Sequence, residues 1–419
     1  TNMISAPHKF VKCAACVLLA AFSISVSHAS DKAMLDAFVA KGLLTPQEAS
    51  VLAKESAEVV RSVESTKSLK LSARFQLQYE WIDAESYNPF RDYACSQGFI
   101  VRRFFIQADA DLGGGWDARV SVDMARSRMN SILTDTYVSK KIDALDGRIF
   151  LGYMKPGFSV EDMFSSFGLN AIERSAATMY WTGAANNRRL GVGNRYMGVR
   201  WNGDIGGGLS YMLAITNAYQ LSPTELDELL YQYTDNHFAY WASVHYKTSG
   251  DDWSFKTGVY TAYSSEANYN MGATGSASIL SLNPYFVAEC GGLRLWGDFL
   301  ASGVADGKKV GGNYTQANPY GLNFSVEYRF AAGEFGEIAP TFRYSWVNTD
   351  GRGLRIVDAQ RQSKNIGKLY NSVQEFYVGL NWYLRGDNLK FQLGYDYLQY
   401  SGGGFADSSS IRVQMQMKL

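Results

Sequence analysis

Residues 411–419 read Ile-Arg-Val-Gln-Met-Gln-Met-Lys-Leu. Ile411, Val413, Met415, Met417 and Leu419 are apolar; Arg412, Gln414, Gln416 and Lys418 between them are polar. Successive side chains of a β-strand point to opposite faces. The stretch therefore predicts a strand with one apolar face and one wet, cationic face. Segments of this kind, repeated along a chain and separated by turns, are the pattern of a transmembrane β-barrel.

Working back from it, the same period-2 alternation predicts strands over residues 69–81, 104–112, 116–124, 134–142, 147–153, 197–201, 209–215, 238–246, 253–263, 282–290, 293–301, 322–330, 338–346, 376–384, 389–397 and 411–419. About sixteen strands result, most of a length suited to tilted membrane strands of ~9–11 residues. The intervening segments alternate in length. Short ones fall at 113–115, 143–146, 204–208, 248–252, 291–292, 331–337 and 385–388. Longer ones fall at 82–98, 125–133, 154–196, 216–237, 264–281, 302–321, 347–375 and 398–410. Short turns on one side and long loops on the other are expected of an outer-membrane barrel. A soluble all-β sandwich or propeller would not produce this rhythm.

Composition agrees. Apolar residues are 46% of the chain but lie scattered singly. The 27 Tyr and 23 Phe supply enough rings for two interfacial girdles. Lys9 and Lys12, the apolar stretch Cys13 to Ile24 and the small residues Ser27-His28-Ala29 predict a signal peptide over 1–29, removed before Ser30. Without Lys9 and Lys12 the balance is 38 basic against 40 acidic residues, so nucleic acid is not an expected partner. Two cysteines, Cys95 and Cys290, would remain; they make neither a disulfide framework nor a four-ligand zinc site, and no cofactor is implied. Residues 30–66 predict a helical segment: Gly42 ends one short helix and Thr45-Pro46-Gln47-Glu48 caps the next. The barrel is expected over 67–419.

A barrel of sixteen strands leaves an aqueous channel. Parity places Lys70, Arg74, Arg103, Arg119, Arg200, Lys256, Arg294, Arg329, Arg343, Lys390 and Arg412 on the wet face. Opposed to them are Asp109, Asp111, Asp117, Asp123, Glu289, Asp298, Glu327 and Asp396. Lumenal salt bridges are the bland reading of any such pair. The long segment 154–196 is expected to fold inward and narrow the mouth. Its Arg188 and Arg189 suit recruitment of anions through paired hydrogen bonds, or are solvated loop charges.

Arg102-Arg103, the run Leu151-Gly152-Tyr153-Met154-Lys155-Pro156-Gly157-Phe158-Ser159, Glu173-Arg174-Ser175, Val378-Gly379-Leu380-Asn381-Trp382-Tyr383-Leu384, Lys390 and Tyr395-Asp396-Tyr397 together resemble the phosphate-selective porins. The helical pair before the barrel is similar too. The resemblance implies a homotrimer of sixteen-stranded barrels in the bilayer of a bacterial outer membrane, with anion conduction past arginines. It also implies that Arg102 and Arg103 stand near the constriction and that Lys155, Glu173 and Arg174 border the inward loop. One departure bears on specificity. Residues 156–173 contain no Lys or Arg, and Phe167 and Leu169 occupy the middle of the loop. A phosphate dianion would be poorly compensated there for lost hydration.

The leading expectation is passive diffusion of small hydrophilic solutes with an anion preference. A sugar or organic-acid channel is the alternative, with Tyr260, Tyr285, Trp241 and Trp296 near the wet face as stacking or packing residues. An adhesive or structural barrel is compatible with both. An enzyme is not expected: after the leader only His237 and His245 remain, and no nucleophile is singled out beside them.

Overall fold

The computed structural model describes residues 39, 45–51, 67–84, 95–125, 133–183, 188–217, 238–267, 277–360 and 368–419. The leader expected over 1–29 and most of the helical segment expected over 30–66 lie outside the described residues. Residues 46–51 form a short helix. Its capping box is present: Glu48 N donates to Thr45 Oγ1 at 3.2 Å, and Thr45 N to Glu48 Oε2 at 3.0 Å.

Sixteen antiparallel strands make one closed sheet. They are β1 Ser68–Ala84, β2 Cys95–Gly113, β3 Trp116–Asp123, β4 Thr136–Ile142, β5 Gly147–Met154, β6 Tyr196–Gly206, β7 Leu209–Asn217 and β8 Phe238–Ser249. Then follow β9 Trp253–Ala267, β10 Ala277–Cys290, β11 Leu293–Val310, β12 (Asn313–Ala317, resumed as Tyr320–Tyr328), β13 Glu337–Asn348, β14 Ser372–Tyr383, β15 Leu389–Ser401 and β16 Ala406–Lys418. Each strand pairs with its neighbours in sequence, and β1 with β16 closes the ring from Arg74↔Lys418 to Ala84↔Ser408.

The closing seam displays the alternation that residues 411–419 predict. Tyr79 faces Val413 and Trp81 faces Ile411; between them Gln76 meets Gln416, Gln78 meets Gln414 and Glu80 meets Arg412. Ile411 and Val413 are 40% and 44% exposed, whereas Arg412 and Gln414 are 2% and 1% exposed. The apolar set therefore looks outward to lipid and the polar set inward. Outward rings gather toward both rims. Tyr240–Tyr263 and Tyr320–Trp346 pair on the long-loop side, and Tyr328–Phe330 and Trp382–Phe391 on the short-turn side. Cys290 is exposed, as its parity predicts.

All sixteen predicted strands are present. Several are longer than predicted, mostly on the long-loop side; β6 and β8 instead run on into their short turns, to Gly206 and Ser249. The segment 302–321 is not a plain loop. There β11 continues to Val310, Gly311 and Gly312 turn with φ of 57° and 92°, and Asn313–Ala317 returns alongside. Two successive positive φ values make the mirror-image turn that matches strand twist.

Among the described residues three short helices lie in the long connections: α1 Val160–Met163, α2 Ala176–Thr182 and α3 Ile356–Ala359. Phe158, Val160, Tyr180 and Trp181, between β5 and β6, are wholly buried together with the wall residues Trp296, Leu300, Val304 and Val347. The apolar core thus sits inside the barrel, between this connection and the wall.

Candidate functional site

The connection between β5 and β6 enters the lumen through two residues with left-handed backbone. Gly157 has φ 105°, and a Cβ there would stand 2.9 Å from Met212 Cε. Ser159 has φ 64°, costly for a residue with a Cβ. It is held by its Oγ donating to Asp298 Oδ2 (3.3 Å), while Val160 N donates to Asn283 Oδ1 (3.2 Å).

Farther along, polar contacts fasten the loop to the far wall. Asn170 Nδ2 donates to Ser325 Oγ at 3.0 Å, and Asn381 Nδ2 to Asn170 O at 2.8 Å. Lys390 Nζ reaches Leu169 O (2.9 Å), Gln416 Nε2 reaches Phe167 O (2.8 Å) and Gln76 Nε2 reaches Ser166 O (3.1 Å). At α2, Ser175 is the N-cap, accepting from Thr178 N and donating from Oγ to Glu161 Oε2 at 2.6 Å. Ala177 N donates to Ser345 Oγ (3.0 Å), and Trp181 Nε1 to Ser302 Oγ (2.8 Å).

Ion pairs complete the attachment. Arg343, 1% exposed, meets Glu161 at 3.0 Å and donates to Glu173 O at 2.6 Å; it also pairs with Glu375. Arg102 pairs with Glu173 by Nε–Oε1 at 2.5 Å and Nη2–Oε2 at 2.8 Å. Arg103 lies 3.7 Å from the same carboxylate and donates to Gln76 Oε1. Both arginines therefore turn inward, although they are neighbours in one strand. The flanking Val101 and Phe104 are both exposed, so the alternation slips by one residue here, as at a β-bulge.

Lys155 and Arg174 share Asp162, at 2.7 and 3.1 Å. Burial, with Arg174 and Arg195 nearby, holds the Lys155 ammonium down to about 7 against the pull of Asp162. Arg195 pairs with Asp135 at 3.0 Å. Burial opposes ionisation of Asp135, but Arg195 outweighs it and keeps that carboxyl below its ordinary range.

Other arginines on the wet face rest on rings. The Arg74 guanidinium lies 5.2 Å from the Phe105 ring and 5.5 Å from Phe167; Arg119 lies 5.6 Å from Tyr137. Arg200 lies 4.3 Å from Phe150 and donates to Lys155 O at 2.7 Å. Arg294 lies 4.8 Å from Phe164 and 3.3 Å from Glu289. Arg329 covers Tyr383 at 4.0 Å and pairs with Glu327 at 3.1 Å. Arg188 and Arg189 do not stand among these. Their side chains donate to Arg352 O (3.2 Å) and Val357 O (2.5 Å), bridging to the connection that holds α3.

The candidate residues thus divide into loop fasteners (Arg102, Arg103, Lys155, Arg174, Arg343), wall cations seated on rings (Arg74, Arg119, Arg200, Arg294, Arg329) and a bridge between two long connections (Arg188, Arg189). Sequence reasoning missed an amide chain around the wall. Gln78 bonds Gln414, Gln414 bonds Gln392 and Gln392 bonds Asn381, at 2.8, 2.8 and 3.0 Å. Glutamine at matching heights of paired strands was its available signal. Trp241, Tyr260, Tyr285 and Trp296 are all buried, at 4% exposure or less, which makes them packing residues. His245 has Ser243 Oγ and Tyr285 OH at 2.8 Å on its two ring nitrogens.

A closed sixteen-strand barrel with a lipid-facing exterior and a polar-fastened inner loop has the architecture of a diffusion channel. Residues 69–205 match the family model described as phosphate-selective porin O and P. The likeness to the phosphate-selective outer-membrane porins is borne out over that stretch, and the barrel is a channel type through which small hydrophilic solutes diffuse. The fold is similar to Pseudomonas putida OprB, at 10% identity and TM-score 0.60 over 86% of this chain and 96% of that one. It is similar as well to an anion-selective porin from Comamonas acidovorans, at 11% identity and TM-score 0.54 over 84% and 99%. The outer membrane channel DcaP of Acinetobacter baumannii gives 12% identity and TM-score 0.52 over 84% and 97%. A comparison with curated proteins found no match.

Proposed function

We infer that the pore favours anions and that the loop between β5 and β6 sets its width. One observation carries the reading. Each of the loop's three carboxylates is matched by a cation: Glu161 by Arg343, Asp162 by Lys155 and Arg174, Glu173 by Arg102. The loop therefore adds little negative field of its own. On the adjoining wall, at the root of the loop, Arg200 meets a ring and a carbonyl, and among the described residues no carboxylate lies within ion-pair distance of it. The field left over for a passing solute is positive. The name of the Comamonas porin is consistent with this reading. Assembly as a homotrimer and removal of residues 1–29 on export belong to it as well.

The test is the reversal potential of the purified protein in a planar bilayer under a KCl gradient. An anion-favouring potential that falls in Arg200→Glu supports the reading; a cation-favouring potential in the unaltered protein overturns it. Cross-linking in detergent checks the trimer, and the N-terminal residue of the membrane-inserted protein checks the leader.

A further inference from the structure

Lys155 follows the last residue of β5, where the chain leaves the wall for the lumen, and its ammonium joins a cluster of charges. Lys155 Nζ lies 2.7 Å from Asp162 Oδ2 and donates to Asp162 O at 2.7 Å. Arg174 Nε lies 3.1 Å from Asp162 Oδ1. Beside them Arg195 donates to both oxygens of Asp135, at 3.1 and 3.0 Å. The cluster gathers separate segments: Asp162 and Arg174 from the loop, Asp135 from just before β4 and Arg195 from just before β6. Two more cations act on it from the wall. Arg200 of β6 donates to the Lys155 carbonyl, and Arg119 of β3 attracts Asp135; Tyr153 of β5 brings a phenol toward Arg195.

The charges of this cluster do not balance. Lys155, Arg174 and Arg195 meet only Asp135 and Asp162, so three cations share two carboxylates. Arg174 with Asp162 and Arg195 with Asp135 make two complete pairs without the lysine. The excess can be removed at one place. A guanidinium keeps its proton at any ordinary pH, whereas a buried ammonium among other cations gives its proton up. The cluster is recessed but not sealed: the Lys155 side chain is 18% exposed and that of Asp135 31%. Asp135 shares the inward parity of Tyr137 and Ser139, so its open edge meets the water of the lumen. We propose that Lys155 is a specificity-determining residue: its ammonium is the removable excess charge at the root of the loop, and release of its proton weakens the pore's preference for anions. The inference rests on the anion-favouring reading above. The sign follows from the count. With Lys155 protonated the cluster carries one positive charge beside the path; with Lys155 neutral it carries none.

The experiment records reversal potentials of the full-length porin in a planar bilayer under a KCl gradient, from about pH 5.5 to about pH 8.5. The anion-to-cation permeability ratio is expected to fall roughly two-fold across that range, as one unit charge close to the path is lost. The midpoint is expected at about 7, where burial and the neighbouring arginines hold the Lys155 ammonium. Lys155→Arg keeps the charge and is expected to hold the acid-side ratio at every pH. Lys155→Gln is expected to hold the alkaline-side ratio at every pH. A ratio that stays level with pH in the unaltered protein, a result that needs no variant to fold, overturns the inference and leaves the anion reading standing. A fall that persists in Lys155→Arg assigns the titration to another group and overturns it too. A cation-favouring potential at every pH overturns both.

Discussion

Arg102 and Arg103 show what a single residue can contribute to this wall. In a regular strand one of two neighbouring arginines would face lipid, at a cost of about 2–4 kcal/mol near the bilayer midplane. The local slip in alternation brings both to Glu173 instead. Arg103→Glu sets a carboxylate beside Glu173, so the pore should shift toward cations; an unchanged reversal potential would place Arg103 away from the ion path. Arg343 is the deeper case. Without its guanidinium, Glu161 and Glu375 are left buried beside each other. Arg343→Met should cost about 3–5 kcal/mol of stability, read as a lower urea midpoint for the detergent-solubilised barrel. Lys155 gives a pH-dependent prediction. Its folded pKa of about 7 lies below the ordinary lysine value, so between the two the unfolded chain binds more protons. Stability is therefore lowest below pH 7 and rises as the pH climbs above it. Lys155→Met should flatten that rise in a series of thermal unfolding curves; a slope equal to that of the unaltered protein would contradict the depressed pKa.

At the scale of elements, the loop between β5 and β6 is the unit on which the proposed function turns. It carries α1 and α2 and meets the wall through hydrogen bonds and ion pairs at both ends. Deleting residues 160–185 removes these and should raise single-channel conductance several-fold. An unchanged conductance in a folded deletion would mean that the loop does not narrow the path. The sequence made the loop's place and length plain, and it made its missing lysines plain. It did not reveal which wall residues fasten it. Parity says inside or outside, but the partners of Asn170 or Leu169 depend on how far the loop reaches across the lumen. Strand ends were legible only within the membrane band. Beyond it, as at Ser264, Ser401 and Ser408, neither face need be apolar and the contrast between them vanishes.

Taken as a whole molecule, sixteen strands were countable from alternation because each must show one face to lipid and one to water. The division of arginines into loop fasteners and ring-seated cations was not countable, since it depends on pairings across the barrel. Arg343 and Arg200 have the same parity signal and opposite uses. The loop's fastenings carry one more consequence, for biogenesis. The loop leaves β5, yet Phe167 is held by Gln416, 249 residues later in the chain, and Leu169 by Lys390, 221 residues later. Those partners arrive with the last strands and come to face the loop only when β16 has met β1. Contacts of such sequence separation form late. Insertion of the loop should therefore be a closing event of assembly, and protease sensitivity within residues 160–185 should persist in a refolding chain until the seam has zipped.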